Sequence, residues 1–174
     1  METTPKDVYQ KFVELEERAA AIYLEFASHF SKDSSLSSFW LDMAMQEKQH
    51  AGLLQFCIQD KLFATDLPTS AEVQKLIGMF NRLEKDAAEP NLTVEGAFGL
   101  AIALETSEIN MIYCYLTTTL HTSMYLLRHK IKTLLPNHVD DLVAAARKFG
   151  VDEKSIQELA RTNAQCAARW QSAP

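Results

Sequence analysis

The feature that most constrains the fold is a Glu-x-x-His pair inside an apolar stretch with helical periodicity, Leu36 to Ile58. In an α-helix, residues three apart leave the same face as neighbours, so Glu47 and His50 share one face. The residues that share it at three- and four-residue steps are large and mostly apolar: Leu36, Trp40, Met43, Leu54 and Cys57. The pattern therefore predicts a helix that buries a carboxylate and an imidazole.

Burial of this pair requires a compensating partner, because an unpaired carboxylate in an apolar interior is expensive. Two explanations compete. Glu and His are common on helices, and a single such pair is more often a surface pair than a ligand pair. Alternatively, other helices bring matching groups to the same level, as in carboxylate-bridged di-iron and di-manganese proteins, where Glu-x-x-His projects into a helix bundle. The presence or absence of matching buried groups on the other helices therefore distinguishes the two explanations.

The composition is typical of a helical protein. The 174 residues include only five glycines and five prolines, 47% are hydrophobic, and the apolar residues recur with a helical period. We therefore predict a single all-α domain over residues 1–174, an antiparallel four-helix bundle. The predicted bundle helices are residues 5–30, 35–60, 93–119 and 123–149, a long crossover holds a short helix at 70–86, and an additional C-terminal helix covers 152–171.

The predicted helix ends rest on local signals. Thr4-Pro5 combines a capping hydroxyl with a proline at the first helical position, which favours a helix start. The polar stretch from Lys32 to Ser35 predicts a tight turn, so the first two helices should form an antiparallel hairpin. Thr93 is the predicted cap of the third bundle helix. The predicted hairpin of the first two helices places Glu16 opposite Glu47.

Polar groups interrupt the apolar stripes of the other long helices as well. In the first helix the apolar stripe passes through Glu16. Glu14, Glu17 and Glu25 lie outside the stripe. Glu105 and Glu108 lie at consecutive contact positions of the third helix, which otherwise carries almost no charge, and His138 lies mid-stripe in the fourth. The four helices thus contribute four carboxylates and two imidazoles: Glu16, Glu47, His50, Glu105, Glu108 and His138.

Antiparallel helices of similar length place their midpoints at one level, so these six groups are expected to converge. Buried carboxylates that lie close together raise one another's pKa unless cations neutralise them. Carboxylate oxygen with imidazole nitrogen favours iron or manganese, whereas zinc sites more often use cysteine and histidine. The sequence therefore predicts a metal site with iron as its cofactor and manganese as the alternative. Taken alone, however, His138 is more often a satisfied core histidine than a ligand.

These motifs resemble the ferritin-like superfamily, and specifically the erythrin domain of rubrerythrin. Glu16 is followed seven residues later by Tyr23, as in the first helix of the family. Glu47-Lys48-Gln49-His50-Ala51 is similar to the second helix, and Glu105-Thr106-Ser107-Glu108 resembles the paired acids of the third. The resemblance covers residues 8–149. It implies a di-metal centre, usually iron, that reduces peroxide or oxidises ferrous iron with dioxygen.

The resemblance also implies a role for each ligand. Glu47 would bridge two metals, with Glu16 and His50 completing the first position. Glu105 and His138 would hold the second position weakly, and Glu108 would be a mobile extra ligand that moves with oxidation state. An external electron donor is implied for an enzyme, because the chain has no Cys-x-x-Cys motif and hence no rubredoxin-type centre.

The fourth helix departs from the family pattern at one position. The family repeats Glu-x-x-His there, and the histidine matches His138 while the glutamate position is Leu135, which cannot ligate a metal. Pro136 predicts a kink or break just before His138, and Asp141 is only a shorter substitute for the missing acid. A di-metal site, a single metal, an asymmetric pair and a degenerate empty site stay open. The alternative function is a metal-free helical interaction or scaffold module.

Charge and hydropathy restrict the partners. The formal net charge of -6, without any basic block, disfavours nucleic acid and anionic membranes. No apolar run reaches the roughly 20 residues needed to span a bilayer, residues 1–10 lack an apolar targeting core, and three distant cysteines fit a reducing compartment. We therefore expect a cytoplasmic protein that meets peroxide, dioxygen or ferrous iron, with a homodimer as an expectation by analogy.

Overall fold

The computed structural model of the protein describes residues 4–108, 112 and 138–172. Within these residues all regular secondary structure is helical, which confirms the predicted all-α class. No helix of this described part is both long enough and apolar enough to cross a membrane. The helices are α1 (Pro5–His29), α2 (Ser34–Gln59), α3 (Ser70–Ala87), α4 (Val94–Glu108), α5 (residues 138–148) and α6 (Glu153–Ser172).

The start of α1 is fixed by a capping box around Thr4. The Thr4 hydroxyl accepts a hydrogen bond from the backbone N–H of Asp7, and the Asp7 carboxylate accepts one from the backbone N–H of Thr4. Pro5 occupies the first helical position, where its missing N–H costs nothing. These contacts satisfy backbone donors that would otherwise have no partner inside the helix.

Helices α1 and α2 form a hairpin that packs along much of its length. The short turn between them ends at Asp33, whose carboxylate accepts hydrogen bonds from the backbone N–H groups of Ser35 and Leu36 and so caps α2. The hairpin buries an aromatic cluster centred on Trp40, which is fully buried. The rings that contact Trp40 come from α1, α2 and α4: Tyr23, Phe26, Phe39 and Phe98.

The connection from α2 to α4 contains α3, which packs on both α1 and α4. A capping box between Thr69 and Glu72 starts α3. The Arg18 guanidinium of α1 makes two hydrogen bonds to the Glu84 carboxylate, with Nε–Oε1 2.6 Å and Nη2–Oε2 2.8 Å, and lies over the Phe80 ring. This two-pronged contact fixes α3 across α1, so the connection covers one side of the hairpin.

The second half of the chain places α4 beside α6, and the Thr93 hydroxyl caps α4 by accepting from the backbone N–H of Gly96. The predicted helices 93–119 and 123–149 both extend outside the described residues, as do the expected kink at Pro136 and the Leu135 position. The described part of the latter helix is α5, and His138 is the first of its residues that the structure describes.

Candidate metal centre

The first group of metal-ligating side chains lies between α1 and α2. Glu16, Glu47 and His50 are all buried, with the two glutamates 0% exposed. His50 Nδ1 lies 2.9 Å from Glu47 Oε2 and 3.6 Å from Glu16 Oε2. The three-residue spacing of Glu47 and His50 on one helix face produces the short contact, and the hairpin brings Glu16 to the same level. The group therefore offers one imidazole and two carboxylates.

A second group brings α4 and α5 to the same carboxylate. His138 Nε2 lies 2.7 Å from Glu105 Oε1 and 2.9 Å from Glu47 Oε1. Both Glu105 and His138 are buried, so the group is closed from solvent in the same way as the first. His50 and His138 are close neighbours, with ring centroids 5.2 Å apart. The two groups are thus adjacent parts of one buried polar cluster.

Glu47 belongs to both groups and divides its two oxygens between them. Its Oε2 faces the first group and its Oε1 faces the second. Within each group the ligand atoms all lie within 4.8 Å of one another, close enough to surround one metal ion. A carboxylate with one oxygen directed at each of two positions is the arrangement that bridges a metal pair, in which ions are typically about 3.5–4 Å apart.

The electrostatics of the metal-free cluster show how its charges balance. Burial raises the pKa of Glu16 to about 8, and the Glu47 carboxylate adds to the rise. Burial alone would lower the pKa of His50, but the carboxylates of Glu47 and Glu16 outweigh it and raise that pKa to about 9. The same balance, with Glu105 and Glu47 as partners, raises the pKa of His138. The two imidazoles hold the pKa of Glu47 well below its ordinary value against the effect of burial.

One oxygen of the cluster tests whether a metal fits. Glu47 Oε1 is buried and, within the described part of the chain, accepts no hydrogen bond. His138 Nε2 lies close to it, but the hydrogen bond of that nitrogen goes to Glu105 Oε1. A buried carboxylate oxygen that shares its one nearby imidazole nitrogen with another carboxylate is only partly compensated. A cation held between Glu47, Glu105 and His138 would satisfy this oxygen, so the residues present fit a metal ion.

Tyr23 joins the cluster through its hydroxyl, which donates a hydrogen bond to Glu105 Oε1 at 2.5 Å. Its ring stacks on Trp40 with centroids 5.7 Å apart. In the sequence Tyr23 is noted only as part of the motif that follows Glu16, and nothing in its spacing identifies Glu105 as the partner of its hydroxyl. This hydrogen bond therefore orients the Glu105 carboxylate.

Two acidic residues that the sequence offers as further ligands, Asp141 and Glu108, are not members of the two ligand groups found among the described residues. Asp141 is exposed, lies within hydrogen-bonding reach of Gln46, and belongs to neither ligand group of the described residues. It therefore supplies no carboxylate to either ligand group among the described residues. The side chain of Glu108 lies outside the described residues, so its role as a mobile ligand stays a prediction. Gln46, which contacts His138, is a residue that the apolar stripes gave no reason to select.

The chain has no match among protein-family models, curated proteins or solved structures. The metal centre is therefore inferred from the geometry of its own buried carboxylates and imidazoles. The likeness to rubrerythrin stays an expectation from the sequence motifs.

We expect Tyr23→Phe to destabilise the metal-free protein by about 1–3 kcal/mol, because it removes a buried hydrogen bond to a carboxyl group. It should also weaken metal binding by the Glu105 group. Urea unfolding and metal titration would measure both effects. Tyr9→Phe is the matched control, since the Tyr9 hydroxyl accepts from the Ala64 backbone N–H away from the cluster. If both variants bind metal equally well, Tyr23 does not orient Glu105.

Proposed function

We propose that this protein is a ferritin-like, rubrerythrin-related protein that binds a carboxylate-bridged pair of metal ions. The observation that carries the proposal is Glu47, a fully buried carboxylate whose two oxygens face two separate groups of ligands. A structural ion-pair network would need only one partner per charge. The arrangement of three carboxylates and two imidazoles instead gives each of two positions two carboxylates and one imidazole, with Glu47 shared between them.

The distribution of ligands over the helices supports the same proposal. In ferritin-like di-metal proteins, two helices each give a glutamate and two others each give Glu-x-x-His. Here α1 contributes Glu16, α4 contributes Glu105, and α2 contributes Glu47 with His50. Helix α5 contributes His138, and the sequence has Leu135 where the family pattern has its remaining glutamate. Five of the six expected ligands are therefore present, and the second position has one carboxylate fewer than the family pattern.

Iron is the metal that we propose, with manganese as the alternative. The donor set contains carboxylate oxygens and imidazole nitrogens without thiolate, which suits these two metals. When bound, iron would supply the electron transfer by which peroxide or dioxygen is reduced or added ferrous iron is oxidised. The chain itself would hold the ligands, keep bulk water out with the aromatic cluster around Trp40, and orient Glu105 through the Tyr23 hydroxyl. An external donor would return the electrons.

The second candidate function is a metal-free interaction module. It is favoured by Leu135 in the ligand motif and by large apolar side chains that are exposed on the hairpin: Leu24, Leu41, Met45 and Phe56. Exposed apolar side chains on neighbouring helices are a common feature of contact surfaces. In this case the buried carboxylates and imidazoles would remain as a protonated ion-pair network.

Metal analysis distinguishes the two functions, when it is made on protein that was purified without chelator and then loaded with ferrous iron. We expect close to two iron ions per chain after anaerobic loading with ferrous iron, or one if the second position is weak. Exposure of the loaded protein to air should produce near-ultraviolet absorption from ferric carboxylate. A metal content far below one ion per chain, together with no absorption change, would favour the interaction module. Glu14→Gln is a suitable control, because Glu14 is an exposed residue of α1 outside the cluster.

A further inference from the structure

Gln46 lies at the edge of the cluster, half-buried on α2 and next to Glu47 in the chain. Its Oε1 lies 2.9 Å from Nδ1 of His138, which belongs to α5. The contact joins two helices distant in sequence and involves the His138 nitrogen that faces away from Glu47 and Glu105. Gln46 therefore contacts a proposed metal ligand from outside the ligand group.

The orientation of the Gln46 amide follows from its other neighbour. Gln46 Nε2 lies 3.5 Å from Oδ2 of Asp141, one turn after His138 on α5. An ionised carboxylate can only accept hydrogen bonds, so the amide NH₂ group faces Asp141 and the amide oxygen faces His138. Because an amide oxygen also only accepts, Nδ1 of His138 must be the donor in this contact.

Protonation of Nδ1 determines which ring nitrogen of His138 can bind a metal. With its proton on Nδ1, His138 can present a lone pair only at Nε2, the nitrogen that lies between Glu105 Oε1 and Glu47 Oε1. The first group differs, because His50 faces Glu47 and Glu16 through Nδ1. The two histidines would therefore ligate through different nitrogens, and only the second depends on Gln46.

We propose that Gln46 is a positioning residue for the second metal position, fixing His138 as the Nδ1–H tautomer and directing Nε2 at the metal. The inference rests on the proposed function and goes beyond it, since it assigns part of the metal affinity of the second position to a residue that ligates no metal. Hydrogen-bonding partners behind a ligating histidine commonly change metal affinity by about 10–100-fold.

Titration with Co²⁺, followed by its visible absorption and by calorimetry, tests the proposal. We expect two ions per chain in the unmodified protein. In Gln46→Leu the first ion should bind with unchanged affinity, and the second should bind about 10–100-fold more weakly. Unchanged binding of the first ion also shows that the variant is folded. In the Zn²⁺-loaded unmodified protein, long-range ¹H–¹⁵N spectra should show His138 protonated at Nδ1.

Two further variants separate positioning from a general change of the helix surface. Gln46→Glu keeps an acceptor oxygen and should retain tight binding of the second ion. Gln49→Leu places the same apolar side chain at an exposed position of α2 and should leave both ions unaffected.

Some results would contradict only the role of Gln46, and others would contradict the proposed metal binding itself. If the unmodified protein binds two Co²⁺ ions and Gln46→Leu binds both equally tightly, or loses both in equal measure, Gln46 has no positioning role. A His138 ring protonated at Nε2 in the Zn²⁺-loaded protein would have the same meaning. If the unmodified protein binds no Co²⁺, the proposed function fails, and the role of Gln46 fails with it.

Discussion

Replacing Glu47 with glutamine is expected to abolish metal binding at both positions. Glu47 is the only residue common to the two ligand groups found among the described residues, and its two oxygens serve one group each. An amide has a single oxygen and no charge, so both groups lose the shared carboxylate and keep only one carboxylate and one imidazole each. Anaerobic loading with ferrous iron, desalting and metal analysis should return almost no iron for Glu47→Gln, against about two ions for the unmodified chain.

Single-group variants provide the comparison. Glu16→Gln should remove the first position and leave the second, whereas Glu105→Gln should do the reverse. Glu14→Gln should leave both. If Glu47→Gln still retains one ion, the carboxylate is a ligand to one metal rather than a bridge. If Glu16→Gln and Glu105→Gln each abolish all binding, the cluster holds a single ion that needs every ligand.

The stability of the Glu47→Gln protein follows from the charges that Glu47 balances. In the metal-free protein its carboxylate lies between two imidazolium groups, those of His50 and His138. Removing one partner from a buried ion-pair network typically costs about 3–5 kcal/mol, because the remaining charges are left without compensation. Urea unfolding of the metal-free variant should show a loss of this order, so metal analysis must be made on protein whose helical content has been verified by circular dichroism.

The helical class and several helix ends were predictable because they depend on local chemistry. Thr4 with Pro5 starts a helix wherever the backbone is free to form one, and the structure shows the capping box there. Asp33 caps α2 for the same reason, at the turn indicated by a short polar stretch. Contacts between helices distant in sequence do not follow from such signals. Nothing in the sequence of α3 specifies that Glu84 pairs with Arg18 of α1.

The buried polar residues were predictable because each interrupts an apolar stripe. Glu16 is fully buried, while Glu14, two residues earlier and thus about 200° around the helix, is exposed. The separation of the two therefore follows from helical periodicity alone. Glu105 and His138 were selected in the same way, and both are buried beside Glu47.

The partners of these residues could not be predicted from the stripes. Periodicity gives the face that a side chain occupies but not which oxygen of Glu47 meets which histidine. Gln46 lies one residue from Glu47 and thus about 100° around the helix, outside the stripe. It reaches His138 only because α5 passes on that side of α2. Such contacts depend on the packing of helices, which the sequence pattern of one helix does not contain.

Metal binding should also raise the thermal stability of the chain, and the increase should grow with pH. At a free Mn²⁺ concentration 100-fold above the dissociation constant, one occupied position stabilises the folded state by about 2.7 kcal/mol. For a chain of this length that corresponds to an increase in Tm of about 5–10 °C. Melting followed by circular dichroism under nitrogen, with and without Mn²⁺, would measure the increase, and Glu47→Gln should show none.

The stability of the metal-free protein depends on pH through two buried groups of the cluster. Folding raises the pKa of Glu16 from 4.5 to about 8 and that of His50 from 6.5 to about 9. Because the folded state binds these protons more tightly, their stabilising contribution is complete at low pH and is lost as pH rises through 8 and 9. The metal-free protein should therefore become less stable from pH 6.5 to 9 through these two groups.

The metal-loaded protein has the opposite dependence, since a metal ion requires neutral imidazole and ionised carboxylate. At pH 7 the metal must displace the protons of Glu16, His50 and His138, whose pKa values are all raised. Each displaced proton makes the apparent affinity rise by up to about tenfold per pH unit. The Mn²⁺-dependent increase in Tm should thus be larger at pH 8 than at pH 6. An increase that is the same at both values would mean that the ion binds away from these buried groups, at the acidic surface.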